Sequence, residues 1–221
     1  PHRNLPPLYK QKIKDIGVFI DIDHTLYQGL SQKDFITYLF LLHKISAKQA
    51  FRIFHWLYLE KSHKITHTNL MKKSLLTLKG WDMAELDYYL HEFFENKVLK
   101  NLQYGIFPMI KNHAEAGHKI ILVSEVIHPL ANQFKRLLNA KASLDTRLNT
   151  VHNCYSGTTD CLCYKNQKAR LVKDFSKHAH INLSKSFAYA DSHSDLPFLK
   201  LVKYPYAINP DDQLLDYAAD H

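Results

Sequence analysis

Val18-Phe19-Ile20-Asp21-Ile22-Asp23-His24-Thr25-Leu26 begins as a compact β-branched and aromatic run and breaks into two aspartates separated by one residue. Such a run is that of a buried parallel strand, predicted to end at Asp21. Three more runs behave alike: Lys119–Val123 ends at Ser124, Phe187–Ala190 ends at Asp191, and Tyr206–Ile208 stops before Asn209-Pro210. Helical spacing follows the second of them at Val126, Leu130, Phe134 and Leu137, and a short helix is predicted around Leu196–Leu199. Pro210 suits the first turn of a last helix that takes in Asp211–Asp220.

Strand followed by helix, repeated, predicts an α/β fold: a Rossmann-like, doubly wound parallel sheet whose ligands bind beyond the carboxyl ends of the strands. Asp21, Ser124 and Asp191 all fall at such ends. Residues 29–109, after the first strand, carry helical spacing instead, at Phe35, Leu39, Leu42 and at Phe51, Phe54, Leu57, and are expected to form an inserted helical cap. Residues 16–28 and 110–221 are assigned to the core. Residues 1–15, basic and with Pro6-Pro7 in tandem, are assigned to an extended leader.

The bulk numbers agree with one domain plus an insert at 221 residues. A share of 46% hydrophobic and 23% charged residues excludes a disordered or fibrous chain. The formal charge of +8, with fifteen histidines in reserve, favours anionic partners such as phosphoesters, acidic lipid headgroups or nucleic acid, among which charge alone does not choose. No nucleic acid is expected, and the oligomeric state is not legible. Cys154, Cys161 and Cys163 are odd in number, which argues against a secreted disulfide framework and for a soluble, cytoplasmic-type protein. No apolar run reaches the roughly 18 residues of a spanning helix and no cleaved signal pattern opens the chain, so export by another route and peripheral membrane association stay open. The chain starts at Pro1 and stops within the last predicted helix, from which trimming at both ends is expected.

Asp21 and Asp23 lie two apart, so on extended backbone both carboxylates project to one side. Phosphoryl transfer uses such a pair: one carboxylate attacks phosphorus, and the other protonates the leaving oxygen and then deprotonates water. Two carboxylates repel a phosphate dianion, which calls for a hard divalent cation, Mg²⁺, with Asp191 as a further ligand and Asp195 one turn on in its outer shell. Ser124 can donate to a phosphoryl oxygen, and Lys168 can neutralise the charge that builds.

Taken in order, these segments resemble the haloacid dehalogenase superfamily. Asp21-Ile22-Asp23-His24-Thr25-Leu26 resembles its first motif, Leu122-Val123-Ser124 its second, and Tyr164–Leu171 around Lys168 its third. Tyr189-Ala190-Asp191-Ser192-His193-Ser194-Asp195-Leu196-Pro197 resembles the fourth in the form used by the phosphoserine-phosphatase-like branch. The resemblance implies a nucleophile at Asp21, an acid and base at Asp23, and Mg²⁺ on Asp21, Asp191 and the Asp23 backbone carbonyl. It also implies phosphate contacts from Thr25, Ser124 and Lys168. The expected activity is hydrolysis of a phosphomonoester through an aspartyl-phosphate on Asp21, the substrate being a small phosphorylated metabolite or a phosphotyrosine-bearing protein.

The chain also departs from the family pattern. Glu125 stands beside Ser124 where a small residue is usual, and Tyr27–Ser31 lacks the acid with which phosphoserine phosphatases hold the substrate ammonium. Glu125 and the net charge motivate a different class of reading, a catalytically weakened phosphate- or membrane-binding interaction module. His63 and His67, four apart without a third ligand, are expected on the surface. Cys161 and Cys163 are expected to be ordinary thiols. The aromatic and basic stretch Phe35–Lys64 is read as cap core with solvated lysines, with a membrane contact as the sharper alternative.

Overall fold

The computed structural model describes residues 15–220, so all but the last residue of the expected leader lies outside the described residues. The chain begins with β1 (Gly17–Ile20) and then enters four helices: α1 (Ser31–Leu41), α2 (Ala47–Lys61), α3 (His67–Leu76) and α4 (Met83–Phe93). Irregular helical turns lead to α5 (Phe107–Glu115), after which come β2 (Lys119–Ile127), α6 (His128–Leu137) and β3 (Ala142–Thr146). A small hairpin, β4 (Thr150–Val151) with β5 (Cys154–Tyr155), precedes α7 (Asn166–His178). The chain finishes with β6 (Phe187–Ala190), α8 (Leu196–Leu199), β7 (Tyr204–Ala207) and α9 (Asp212–Asp220).

Five strands pair in the order β3-β2-β1-β6-β7, all parallel. All four residues of β1, the central strand, are buried, which explains its unbroken apolar run. The chain builds outward from β1 through β2 and β3, then returns to place β6 on the other side. The winding reverses between β1 and β6, where α/β sheets open a crevice for ligands. Entry into β2 depends on Gly117, whose φ of +78° turns the chain after α5 at little cost to a residue without Cβ.

Two apolar layers enclose the sheet. Phe19, Ile121 and Val123 face Val172 of α7 and Phe198 of α8 on one side. Ile20, Ile22 and Leu122 on the other share a single cluster with Phe35, Leu39, Leu90 and Phe93 of the inserted helices. The helices after β1 thus pack on the core without a separating gap. Their starts are encoded locally: Ser46 and Gln49 form a capping box on α2, Thr66 caps α3, and Asp82 accepts from two backbone N–H groups of α4.

Several expectations are corrected. β3 has no apolar run to announce it, because Ala142-Ser143-Leu144-Asp145-Thr146 holds one large aliphatic residue and lies at the sheet edge. β7 starts earlier than expected and includes Pro205, whose missing N–H is harmless on an edge strand. α9 begins at Asp212, leaving Pro210 outside, because Asp211 caps it by accepting from Leu214 N at 2.8 Å. The β4–β5 turn, His152-Asn153, has φ of 49° and 63°, a two-residue hairpin geometry that lacked the glycine that would have signalled it. Leu42, Phe51 and Phe54, expected in the cap core, are exposed; α2 buries Ala50 and Ile53 instead. No helix among the described residues is long and apolar enough to cross a membrane.

Candidate active site

Asp21 follows β1 directly and is still tied to the sheet, its N–H donating to Tyr189 O at 2.9 Å. Beyond it the backbone turns sharply: Ile22 O accepts from the N–H groups of Leu26 at 2.8 Å and Tyr27 at 3.0 Å. This turn brings Asp23 to the start of α1, where its Oδ1 accepts from Ser31 N at 3.1 Å. The two aspartates are thus held by different elements, one by the sheet and the other by a helix N-terminus.

Lys168 reaches the same place from the first turn of α7. Its buried ammonium lies 2.9 Å from Asp21 Oδ1 and 2.7 Å from Asp195 Oδ1. Asp191 follows β6, and a tight turn in which Ser194 N donates to Ser192 Oγ at 3.1 Å brings Asp195 back beside it. Asp21, Asp191 and Asp195 each offer an oxygen, all within 4.8 Å of one another. These side chains, with Asp23 and Ser124, line one wall of a cavity of about 280 Å³.

Charge explains what the cluster needs. Burial first, then the charge of Asp21, holds Asp191 above the ordinary carboxylate range, and burial with the same neighbour does so for Asp195 despite Lys168. Burial also pushes Asp23 up to about 7, with the Ser31 hydrogen bonds pulling against it and Asp21 adding to it. For Lys168 burial alone would lower the pKa; Asp195 and Asp21 more than reverse that, and the ammonium stays charged. Four carboxyl groups against one ammonium cannot all ionise without an excess of negative charge. A hard divalent cation taken up by Asp21, Asp191 and Asp195 would offset it, and an all-oxygen donor set suits Mg²⁺.

Of the expected phosphate contacts, Ser124 and Lys168 line the cavity and Thr25 does not. Thr25 is fully buried under the turn, its Oγ1 without a hydrogen-bond partner among the described residues. The facing wall holds residues that no sequence motif marked. His67, expected on the surface, lies half-buried at the start of α3 with Nε2 2.7 Å from Glu125 Oε2 and Nδ1 3.2 Å from Glu60 Oε1. Its ring packs on Tyr164 with centroids 4.4 Å apart. Glu125 therefore meets an imidazole rather than the phosphate position alone. A partner for Glu125 was foreseeable in kind, but nothing local in sequence ties residue 67 to residue 125.

Burial by itself would lower the His67 pKa, but the hydrogen bond and charge of Glu125, joined by Glu60, raise it overall. Protonated His67 then bridges the inserted helices to the core. A raised histidine pKa contributes stability that is complete below the unfolded value of about 6.5 and fades as pH rises through the folded value. The His67→Gln variant should accordingly lose less stability than wild type as pH rises above about 6.5, followed by thermal melts. Identical slopes would show that the bridge carries no ionic component.

A family model for haloacid dehalogenase-like hydrolases matches residues 18–200. The chain belongs to that family. Phosphoserine phosphatase SerB1 of Mycobacterium tuberculosis H37Rv is 27% identical over 214 residues, covering 92% of this chain and 68% of its own. Among solved structures, a Bordetella pertussis Tohama I protein of unknown function superposes with a TM-score of 0.87 at 20% identity, over 94% of this chain and 96% of its own. A substrate-bound phosphoserine phosphatase complex superposes with a TM-score of 0.69 at 16% identity, over 92% and 90%. Within the family, the chain is a haloacid dehalogenase-type phosphatase with the fold of the phosphoserine-phosphatase-like branch.

Proposed function

We propose that the protein hydrolyses a small phosphomonoester in a Mg²⁺-dependent reaction that passes through an aspartyl-phosphate on Asp21. The observation that carries this reading is the Lys168 ammonium clamped between Asp21 and Asp195 at a strand end. With one Asp21 oxygen engaged by Lys168, the other is the free nucleophile for phosphorus. Asp23, whose pKa near 7 leaves a large protonated share at neutral pH, gives its proton to the departing oxygen and then takes one from the water that attacks the acyl-phosphate. Ser124 donates to a phosphoryl oxygen, and Lys168 steadies both reacting states. Asp21, Asp191 and Asp195 are the side chains proposed to hold Mg²⁺, which when bound supplies positive charge for the phosphoryl oxygens.

The size and the far wall of the cavity favour a metabolite over a phosphoprotein. About 280 Å³ is at the small end for ligand sites, enough for a phosphate and a compact leaving group. Glu60 and Glu125 line the cavity, so a leaving group bearing an ammonium or hydroxyl donor would meet complementary carboxylates there. The ring of a phosphotyrosine offers no such donor. Phosphate release should be assayed with p-nitrophenyl phosphate, amino and hydroxyl phosphomonoesters and phosphotyrosine peptides, in Mg²⁺ or EDTA. We expect Mg²⁺-dependent release, fastest with a donor-bearing ester; absence of release from the whole panel by folded protein would overturn the reading.

The metal also has a pH signature. In the metal-free protein Asp191 and Asp195 keep protons that the unfolded chain gives up near pH 4, so stability falls as pH rises above that value. Cation binding requires the ionised carboxylates and removes this penalty. The rise in melting temperature on adding Mg²⁺ should therefore be larger at pH 8 than at pH 6. An equal rise at both would separate cation binding from these two side chains.

A further inference from the structure

The α2 helix has one face too many. Ala50 and Ile53 point inward and Glu60 faces the active-site cavity, yet Phe51, Phe54 and Tyr58, spaced by three and four residues, form a second stripe turned outward. Their exposures are 74%, 37% and 62%. Leu41, the last residue of α1 and exposed by 63%, and Leu42 just after it add apolar surface ahead of the helix. Nothing in the catalytic arrangement uses these side chains.

Charge is concentrated on the same part of the chain. Between residues 43 and 79 there are eight lysines and arginines and a single acid, Glu60, a net +7 out of the chain's +8. All eight basic residues are exposed, and Lys48 and Arg52 flank the aromatic stripe on α2 itself. Over the rest of the described residues acids outnumber lysines and arginines by 20 to 17, so the positive field is concentrated on this segment, which spans α2 and α3. An aromatic stripe edged by basic residues on one helix is the pattern that lies in a lipid interface, rings below the headgroups and cations among them.

We propose that α2 and the turn before it form a docking surface for an anionic membrane, seated by Phe51, Phe54 and Tyr58 and held by the surrounding lysines and Arg52. The lipid occupant is favoured over nucleic acid because the exposed apolar set includes leucines, which insert into acyl chains but do not stack on bases. A second copy of the chain is disfavoured because two surfaces of net +7 would repel. The surface is separate from the phosphate site, so docking and turnover can be lost independently.

The test is flotation of the intact protein with vesicles of phosphatidylcholine alone or mixed with phosphatidylserine. Alongside wild type run Phe51→Ser/Phe54→Ser and Lys48→Glu/Arg52→Glu, with thermal melts and turnover of a small aryl phosphate to show that each variant is folded. The expected result is binding to the serine-containing vesicles only, weakened by added salt. Each double variant should lower partitioning about tenfold or more while turnover stays at the wild-type level. Three results would overturn the proposal: no binding to anionic vesicles, binding that survives loss of both phenylalanines, or binding of single-stranded nucleic acid in place of vesicles.

Discussion

Replacement of Asp21 by asparagine should lower phosphate release by a factor on the order of 10,000 or more while leaving the melting temperature within a few degrees of wild type. The loss follows because the amide oxygen that remains is a poor nucleophile. The fold survives because the change is isosteric and the new amide would still offer an oxygen to Lys168 at the Asp21 Oδ1 position, now 2.9 Å away. It also removes a charge that contributes to raising Asp191, so the metal-free variant should be relieved of part of the carboxylate repulsion. Steady-state release and a melt on one preparation read both effects. Activity near wild type would exclude Asp21 as nucleophile, and a collapsed melt would contradict the isosteric fit at the strand end.

Lys168→Met should have the second largest effect, and on both properties. The ammonium is buried between Asp21 and Asp195, so its removal leaves carboxylates facing one another with no cation of the protein's own. Breaking a buried ion pair in this way costs about 3–5 kcal/mol, or roughly 10 °C in melting temperature for a chain of this size. The penalty, measured in EDTA, should shrink as pH falls toward about 5, because protonation of the carboxyls removes the repulsion. Turnover should fall by about 100- to 1,000-fold. A variant as stable and as active as wild type would show that the clamp on Asp21 has no part in the site.

The carboxylate-bearing half of the candidate site was legible in part because much of it is written in segments that fold locally. The strand-then-helix pattern led to Asp21 and Asp191, and the resemblance to Lys168; Ser124 lies inside β2 rather than at its end, and Asp23 is placed by the turn after Ile22 rather than by extended backbone. The opposite half was not legible. The approach of His67 to Glu125 depends on how α3 docks over the end of β2, a tertiary fact with no periodic trace. Thr25 shows the reverse failure, a motif position that the tight turn after Asp21 folds inward and away from the cavity.

α2 exposes the limit of periodicity itself. Phe51, Phe54 and Leu57 repeat at helical spacing, and so do Ala50, Ile53 and Leu57, but a helix on one layer buries only one stripe. Size and hydrophobicity favoured the aromatic set. The structure buries the smaller side chains, which let the helix approach the core closely, and leaves the rings outside. β3 was missed for a related reason, since an edge strand of mixed composition has neither alternation nor an apolar run to show.

The central claim is the covalent step on Asp21, and trapping the phosphorylated protein tests it most directly. The protein should be mixed in Mg²⁺ with a radiolabelled phosphomonoester that it turns over, quenched in acid within a single turnover, and digested for peptide mapping. Label is expected on the peptide that contains Asp21, released by hydroxylamine as an acyl-phosphate should be, and absent from the Asp21→Asn variant. Label on another residue, or single-turnover release with no protein-bound phosphate at any quench time, would contradict it.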